Sequence, residues 1–327
     1  MILILTSSNF EQYTAPVIDW LLYYNANFLV MTYEDIYKKT NLKFDVTNEC
    51  VYVKNIELTK EIKSIYYRRF EDSLNLNLRN VFPTNQARNE LNEEIRHLAM
   101  YLFYLLRDKK WFPNFQNVDI DKLTALSIAK KNGLSIPETI VTTSIKDASS
   151  FVQTHKTIIK PICFSGYYID GGNTYSQYTT SVDMNTLRER QQEYCFPTLF
   201  QRKIEKDFEI RVFYLDEEIY ASAILVNDTS YDDVKTEFEK GHLNWEPYQL
   251  PTHVQNKLKL FMHDLRLNTA SIDLIKDRNG NFVFIDLNPL GQFIAPSIRC
   301  NYNLDQKIAK WLIANAVSYT HLRAHET

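Results

Sequence analysis

The chain has 327 residues, of which 45% are hydrophobic and 24% are charged, and its formal net charge is −3. This length and composition are typical of a soluble protein with two or three domains. The acidic balance excludes a protein that binds nucleic acid through bulk positive charge. No apolar run reaches the roughly 18 residues of a membrane span. From the charge balance and the apolar runs together, we expect neither a nucleic-acid partner nor a membrane partner. The four cysteines form no C-x-x-C pair, which predicts reduced thiols in a cytoplasmic protein.

The first 116 residues are predicted to form a small α/β domain. Strands are expected at 2–5, 27–31 and 65–70, and helices at 14–24 and 86–110. Thr14 is the expected N-cap of the first helix, with Pro16 in its first turn. Strands that alternate with helices are typical of an α/β fold.

The segment that follows residue 116 again combines helix and strand patterns. Its expected elements are a helix at 121–132 ended by Gly133 and strands at 136–143 and 157–161. Lys160 lies at the end of the second strand, and the stretch 163–173 that follows holds three of the seven glycines. This stretch is either a loop that closes over phosphates or a hairpin whose turn needs a positive φ, and the sequence leaves both open.

The remaining segment continues with strand and helix patterns. Its expected elements are a strand at 199–215, a hairpin partner at 218–226, a helix at 251–265, a hairpin at 273–288 and a helix at 304–316. Residues 318–327 resemble a translated sequencing-adapter tail, and we exclude them from functional reasoning as non-native.

The predicted hairpin at 273–288 carries the polar residues with the clearest chemistry. Its turn signal is Asn279-Gly280, between two apolar runs. Asp286 and Asn288 are two residues apart on one strand, so both side chains leave the same face, and Asp273 lies on the partner strand. Such oxygen ligands suit Mg²⁺, which prefers carboxylates together with substrate phosphates. The alternative is an ordinary surface hairpin with solvated acids.

In chain order, these features resemble the ATP-grasp superfamily. The strand-end Lys160 precedes a glycine-containing loop, a linker strand follows at 201–211, and the metal-ligand hairpin closes the set. The resemblance implies a mixed α/β ATP-grasp fold in three parts. These would be an N-terminal pre-ATP-grasp domain at 1–116, a central lid-like subdomain at 117–195, and a C-terminal metal- and nucleotide-binding subdomain at 196–317.

Further motifs are similar to one branch, the ATP-grasp maturases that link side chains of ribosomal peptides through esters or amides (the microviridin or graspetide type). These motifs are Tyr66-Tyr67-Arg68-Arg69, Lys122-Leu123, Gly133-Leu-Ser-Ile-Pro137-Glu-Thr139, Glu209-Ile-Arg211 and Asp286-Leu-Asn288-Pro-Leu-Gly-Gln292. The stretch beginning Cys300-Asn-Tyr-Asn-Leu-Asp-Gln is similar to the subgroup called grasp-with-spasm. The resemblance covers roughly residues 1–316.

The resemblance implies ATP and Mg²⁺ as cofactors and gives roles to residues by position. Lys122 and Lys160 would contact nucleotide phosphates, and Arg211 would stabilise charge on the phosphoryl group in flight, so that Lys160 and Arg211 are the candidate catalytic residues. Glu209 would lie near the ribose or the phosphates. The adenine would be lined, partly through backbone groups, by Gln201, Arg202, Lys203 and Ile204.

The same resemblance implies a metal site and a substrate site. Mg²⁺ would be held by Asp273, Asp286 and Asn288, with Asn288 also against the nucleotide. The branch usually has Glu where Asp286 stands, and Asp is shorter but is still a hard oxygen ligand. One of Arg68 and Arg69 would face substrate carboxylates; the alternative is one solvated and one paired arginine.

The implied function is ATP-dependent macrocyclisation of a ribosomal precursor peptide made of a leader and a core. An Asp or Glu side chain would become an acyl phosphate, which a Ser/Thr hydroxyl or Lys amine of the same peptide attacks. The branch's Asp-aromatic-Arg motif has no full counterpart, because Glu237-Phe-Glu-Lys240 and Asn244-Trp-Glu246 both lack the arginine. A small-molecule carboxylate–amine ligase and an inactive peptide-binding module therefore stay open as alternatives. Relatives imply a homodimer.

Overall fold

The structure is a computed structural model that describes residues 1–7, 11–37, 41–70, 84–163, 167–170, 173–176, 178–188, 193–225 and 243–316. Its helices are α1 (Ala15–Tyr23), α2 (Leu58–Glu61), α3 (Asn85–Leu105), α4 (Lys122–Lys131), α5 (Ile145–Thr154), α6 (Met184–Arg188), α7 (Thr252–Asp264), α8 (Ile294–Arg299) and α9 (Leu304–Ala316). No helix in this part of the chain combines the length and the apolar character needed to cross a membrane.

The strands of the described residues fall into five sheets. They are β1 (Ile2–Thr6), β2 (Phe28–Thr32), β3 (Leu42–Asp45), β4 (Cys50–Val53), β5 (Ile56–Glu57), β6 (Ser64–Arg68), β7 (Lys110–Phe112), β8 (Thr139–Ser144), β9 (Thr157–Lys160), β10 (Tyr167–Asp170), β11 (Asn173–Ser176), β12 (Thr180–Val182), β13 (Tyr194–Arg202), β14 (Lys206–Leu215), β15 (Glu218–Leu225), β16 (Asn244–Tyr248), β17 (Thr269–Asp277) and β18 (Phe282–Asn288). The chain forms two compact units, Met1–Val118 with Gln292–Thr327, and Asp119–Gly291.

The first unit is built on a parallel sheet with the strand order β2-β1-β6-β7. All five residues of β1 are buried, as expected of a parallel strand that is covered on both faces. The last helix, α9, packs on α1 and β6, where Ser64 Oγ donates to the Leu312 carbonyl at 2.8 Å. Trp20 Nε1 on α1 also donates to Asp305 Oδ2 at 2.8 Å. The end of the described chain therefore completes the unit with which the chain begins.

The predicted strands and helices of this unit are confirmed, with corrections. The side chain of Thr14 does not cap α1; its hydroxyl oxygen lies 2.9 Å from that of Thr6, so it ties the helix start to β1. The predicted helix at 86–110 ends at Leu105, and Lys110 already begins β7. A three-stranded sheet, β3-β4-β5, was not predicted, because its strands are short and mix polar with apolar residues.

The second unit contains an antiparallel sheet with the order β12-β9-β13-β8. Ala148 on α5 and Leu187 on α6 pack with Phe200 of β13 in one apolar cluster on one face. Strands β10 and β11 pair as a hairpin, which confirms a hairpin after Lys160, whereas the positive φ of its turn and a role over phosphates stay predictions. The glycines of that stretch, Gly166, Gly171 and Gly172, lie outside the described residues.

The other large sheet of this unit has the order β16-β15-β14-β17-β18. Helices α4 and α7 cover one face, where Leu258 and Phe261 pack against Val212 and Leu274. The predicted helix at 121–132 is confirmed as α4, with the side chain of Asp121 as N-cap. Gly133 follows it at φ +76°, the left-handed conformation that the sequence predicted for this stop.

The prediction of one long strand at 199–215 is wrong. Residues 203–205 separate β13 from β14, and the two strands belong to different sheets. Between Phe200 and Phe208 the only apolar residue is Ile204, and this stretch contains no glycine or proline, so the sequence has a polar interruption at the break but no turn residue. The predicted boundary at 195/196 falls inside β13, and the three-part division stays a prediction.

Candidate functional site

Three charged residues form a row across three neighbouring strands of the five-stranded sheet. Arg211 on β14 pairs in register with Asp273 on β17, and Asp273 pairs with Asp286 on β18. Residues directly opposite one another in a sheet share a face. Because Ile210 and Val212 face the apolar core under α4 and α7, this charged row lies on the opposite face.

A β-bulge places Asp286 in this row. Asp273 pairs with Asp286 but the next residue, Leu274, pairs with Phe284, so Ile285 is an extra residue on β18. Phe284 is fully buried in the core cluster. Strict alternation would put Asp286 on the same side as Phe284, and the bulge turns it to the opposite side, as bulges commonly do beside functional sites.

Each carboxylate of the charged row has a cationic partner. Arg211 makes a forked pair with Asp273, with Nε 2.5 Å from Oδ1 and Nη2 3.3 Å from Oδ2. Lys122, the first residue of α4, places Nζ 3.3 Å from Asp286 Oδ2 and 3.3 Å from the Pro161 carbonyl. The side chains of Arg211 and Lys122 are each 14% exposed. The predicted phosphate-binding cations are thus held against the predicted metal ligands.

The donor set fits Mg²⁺. Asn288 lies opposite Ser271 on the same face as Asp273 and Asp286, and its Oδ1 accepts from the Leu290 N–H at 3.1 Å, which leaves a second lone pair. Among the described residues no group of three or more His, Cys, Asp or Glu forms a metal cluster. Two carboxylates and one amide oxygen are nevertheless suited to Mg²⁺, which keeps several waters and takes ligands from phosphates.

The chain packs tightly against β17 just after Asn288. A Cβ added to Gly291 would lie 2.8 Å from the Ser271 backbone nitrogen and 3.0 Å from its hydroxyl oxygen. Only glycine allows this approach without a local shift. The glycine of the Asp-x-Asn-Pro-x-Gly stretch therefore holds the turn that carries Asn288 close to the sheet.

Lys206 is a cation of this face that the sequence did not single out. Its Nζ lies 2.9 Å from Glu209 Oε1, and the two side chains are only 6% and 18% exposed. A register shift between Lys206 and Phe208 brings the lysine to the side of Glu209. Glu209 is two residues from Arg211 on β14, so the predicted nucleotide-binding carboxylate shares the face of the charged row.

Lys160 and Gln201 share one face of the four-stranded sheet. Lys160 is 8% exposed and lies opposite Leu199, two residues before Gln201 on β13. Gln201 is 1% exposed, and its Nε2 donates to Thr139 Oγ1 at 2.9 Å. Phe200 packs on the opposite face with α5 and α6. Lys160 is thus a buried strand-end lysine, unlike the exposed lysine common at strand ends.

The rest of the predicted adenine-lining segment has mixed exposure. Arg202 forms an exposed ion pair with Glu138, and its backbone N–H donates to the Glu138 carbonyl at 2.9 Å. The Lys203 N–H donates to the Lys156 carbonyl at 2.7 Å, and Ile204 is 8% exposed. The N–H groups of Arg202 and Lys203 are thus already used within the protein, and the adenine-lining role of this segment stays a prediction.

Arg68 and Arg69 differ in their surroundings. Arg68 is 3% exposed, its Nε lies 3.5 Å from Glu11 Oε1, and its guanidinium stands 4.9 Å from the Tyr13 ring. Arg69 is partly exposed and has φ +49°. Arg68 therefore has an internal counter-charge, and the greater exposure of Arg69 makes it the more accessible of the two to a substrate carboxylate.

The two segments weighed as counterparts of the missing arginine motif have different outcomes. Glu237-Phe-Glu-Lys240 lies outside the described residues. Asn244-Trp-Glu246 belongs to β16, which pairs with β15, and Trp245 is 8% exposed. Trp245 lies opposite Ile224, which lies opposite Glu209, so this tryptophan shares the face of the charged row.

Solved structures match nearly the whole chain. The macrocyclase MdnC bound with the precursor peptide MdnA, from Microcystis aeruginosa MRC, has a TM-score of 0.80 at 22% identity, over 96% of this chain and 99% of that chain. A Chryseobacterium gregarium RiPP-associated ATP-grasp ligase in complex with ADP and a leader and core peptide has a TM-score of 0.81 at 19% identity, over 97% of each chain. The ATP-grasp ligase PsnB, complexed with a phosphomimetic variant of its minimal precursor, Mg and ADP, has a TM-score of 0.76 at 15% identity, over 97% and 98%.

Sequence comparison alone finds less. No protein-family model matches the chain, and no curated protein sequence matches it either. The likeness therefore lies in the arrangement of strands and helices, over nearly the full length of each matched chain. The protein has the mixed α/β ATP-grasp fold that the order of its motifs predicted.

Proposed function

We propose that the protein is an ATP-dependent ligase that joins side chains of a ribosomal precursor peptide into macrocyclic esters or amides. The observation that carries the proposal is the charged row of Arg211, Asp273 and Asp286, completed by Lys122, on the sheet of a chain with the ATP-grasp fold. Phosphoryl transfer depends on metal and cationic clamps more than on covalent protein chemistry, and this row supplies both kinds of group.

The proposed cofactors are ATP and Mg²⁺. Asp273, Asp286 and Asn288 would hold Mg²⁺, which when bound neutralises phosphate charge. Lys122 and Arg211 are each paired with one of these carboxylates, so they can exchange a carboxylate for a phosphate oxygen at little cost in charge. Lys160, Gln201, Arg202, Lys203, Ile204 and Glu209 complete the proposed nucleotide site.

The proposed reaction has two steps. A side-chain carboxylate of the peptide attacks the γ-phosphorus of ATP, and ADP leaves with the electron pair of the broken P–O bond. A hydroxyl or amine of the same peptide then attacks the acyl phosphate, loses its proton and expels phosphate. Arg211, as a planar fork, is suited to the charge on the phosphoryl group in flight, and buried Lys160 is suited to hold a phosphate.

The proposed partner is a precursor peptide with a leader and a core. Two of the solved neighbours named above were determined with a precursor peptide or a variant of a minimal precursor, and one with a leader and core peptide, which supports the choice of partner. Arg69 is our candidate for holding a substrate carboxylate, and the central segment 117–195 is our candidate for leader binding. A homodimer in the cytoplasm, with no nucleic-acid or membrane partner, completes the proposal, and light scattering of the purified protein tests the dimer.

The test is the intact mass of a candidate precursor peptide, encoded near this gene, after incubation with the protein and Mg-ATP. We expect an ATP-dependent loss of one water per ring formed. An unchanged mass despite tight peptide binding would instead favour an inactive peptide-binding module. ADP formed only when free amino acids are supplied would favour a small-molecule ligase.

A further inference from the structure

Ser222, on β15, is a buried polar residue that the proposed reaction does not use. Its side chain is 0% exposed, and its Oγ has no hydrogen-bond partner in the part of the chain that the structure describes. Buried hydroxyl groups nearly always have a partner, because desolvation without one costs free energy. The exception at Ser222 needs a reason.

The position of Ser222 suggests one. Ser222 pairs in register with Arg211 across β15 and β14, so the two side chains leave the same face. Its neighbour Ala221 faces the core cluster on the opposite side. Directly opposite residues have Cβ atoms about 4.5–5.5 Å apart, which a guanidinium on a three-carbon stem easily spans. Ser222 therefore extends the charged row by one strand, on the side of Arg211 away from Asp273.

Arg211 has N–H donors that Asp273 does not use, and Asp273 has a second proposed role besides its pairing with Arg211. The guanidinium carries five N–H donors, and two of them go to Asp273. Asp273 is also a proposed metal ligand, and its oxygens cannot give their full charge both to the cation and to Arg211. A guanidinium released from Asp273 needs a new acceptor for the N–H groups that it withdraws.

We propose that Ser222 is a positioning residue for Arg211: in the metal- and nucleotide-loaded state, Ser222 Oγ accepts a hydrogen bond from the guanidinium and holds it toward the phosphates. This inference rests on the proposed function. In the resting state Arg211 is bound to Asp273 and the hydroxyl is left over. The Arg211 guanidinium thus has two alternative acceptors, Asp273 in the resting state and Ser222 in the loaded state.

The test measures binding of the non-hydrolysable analogue AMPPNP by calorimetry, with saturating Mg²⁺ and with EDTA. We expect Ser222→Ala to weaken binding roughly tenfold with Mg²⁺, as for the loss of a hydrogen bond to a charged group, and to leave binding in EDTA unchanged. The melting temperature of the nucleotide-free variant should stay the same or rise, because an unpaired buried hydroxyl is removed. Ser222→Cys, with a weak acceptor in its place, should fall between wild type and Ser222→Ala.

Thr269 provides a matched control. Its Oγ1 is also buried without a hydrogen-bond partner in the described residues, but it lies opposite Leu215, which offers no cation. Thr269→Val should leave AMPPNP binding unchanged in both conditions. Equal weakening by Ser222→Ala with and without Mg²⁺, or no weakening in either, would overturn the positioning role. A wild-type protein that binds no AMPPNP in either condition would overturn the proposed function itself.

Discussion

The two faces of the five-stranded sheet show how one strand serves stability and chemistry at once. On β14, Ile210 and Val212 are buried against α4 and α7, whereas Arg211 between them faces the charged row. On β17, Ile272 and Leu274 alternate with Asp273 in the same way. Because alternate residues face opposite sides, a change on one face should affect folding, and a change on the other should affect binding and catalysis.

The ion pairs of the charged face also differ from those on the outer surface. Arg211 and Lys122 are each 14% exposed, whereas Lys156, paired with Glu205, is 75% exposed. Exposed pairs contribute little, with a median of about 0–1 kcal/mol. In the charged row only the cation of each pair is shielded, because Asp286 and Asp273 are 37% and 41% exposed. The charged row therefore holds shielded cations beside carboxylates that solvent or a ligand can reach.

The largest effect on stability is expected on the apolar face. Phe261 on α7 is 0% exposed and packs edge-to-face on Phe284 with ring centroids 5.1 Å apart. We expect Phe261→Ala to lower the free energy of unfolding by about 3–5 kcal/mol, as measured by urea titration. Its neighbour Leu260 is 58% exposed, so Leu260→Ala is the control and should change stability little. Equal losses in the two variants would contradict the assignment of the faces.

The largest effect on activity is expected on the charged face. Asp286→Asn removes a metal-ligand charge, and we expect peptide modification to fall roughly 100- to 1,000-fold while the folded fraction is unchanged. Asp286→Glu keeps a carboxylate and should retain much of the activity. Asp277 lies at the far end of the same hairpin, in its turn, and Asp277→Asn should leave the rate per folded molecule unchanged. Full activity in Asp286→Asn would remove the residue from the metal site.

A smaller effect is expected from the turn after Asn288. Gly291→Ala would bring a Cβ to 2.8 Å from the Ser271 nitrogen, so the turn must shift and Asn288 with it. We expect roughly tenfold weaker Mg²⁺-dependent nucleotide binding, equivalent to about 1.4 kcal/mol. Gly280, at φ +84° in the distal turn, has open space around it. Gly280→Asn is the control, because Asn tolerates a positive φ, and it should leave binding unchanged.

The smallest effect is expected at the start of α4, which carries Lys122. Asp121 Oδ1 accepts from the Thr124 N–H at 2.9 Å, and hydrogen bonds from the Thr124 hydroxyl and backbone hold the pKa of Asp121 below its ordinary value. We expect Asp121→Ala to cost about 0.5–2 kcal/mol of stability near neutral pH. Asp121→Asn should retain most of the cap, because Asn caps helices as well as Asp does.

The pH dependence of this cap follows from the sign of the shift. A carboxyl whose pKa is depressed in the folded state stabilises above its unfolded pKa, near 3.9, and loses that contribution as the pH falls through its folded pKa. The stability advantage of wild type over Asp121→Asn should therefore shrink below about pH 4. Urea midpoints of the two proteins across this range measure it, and an advantage that grows toward acid pH would contradict the cap.

The sequence predicts most elements of the fold and the chemistry of the hairpin, for physical reasons. Periodicity identifies α4 and α9, and the two-residue spacing of Asp286 and Asn288 places both on one face. The same alternation cannot reveal the extra residue Ile285, although this bulge turns Asp286 away from the core. A bulge reverses the face to which the residues after it point, but it needs no particular residue type, so the alternation alone does not locate it.

Periodicity also cannot show which sheet a strand belongs to. The break at 203–205 between β13 and β14 has no turn residues, and the pairing of each strand depends on contacts distant in the chain. The Lys206–Glu209 pair was missed for a related reason. The two residues are three apart, so strict alternation would put them on opposite faces, but a shift in register brings Lys206 to the side of Glu209. The roles that family resemblance assigns to site residues stay predictions for the variants described above.

The most direct test of the central claim follows oxygen. A precursor peptide with heavy-oxygen-labelled side-chain carboxylates is incubated with the protein and Mg-ATP, and the released phosphate is analysed by mass spectrometry. If a carboxylate attacks the γ-phosphorus, the acyl phosphate keeps that oxygen on phosphorus, and each ring formed releases a phosphate with one heavy oxygen. Unlabelled phosphate formed together with peptide water loss would contradict the account, because it would mean that a group other than the carboxylate was activated.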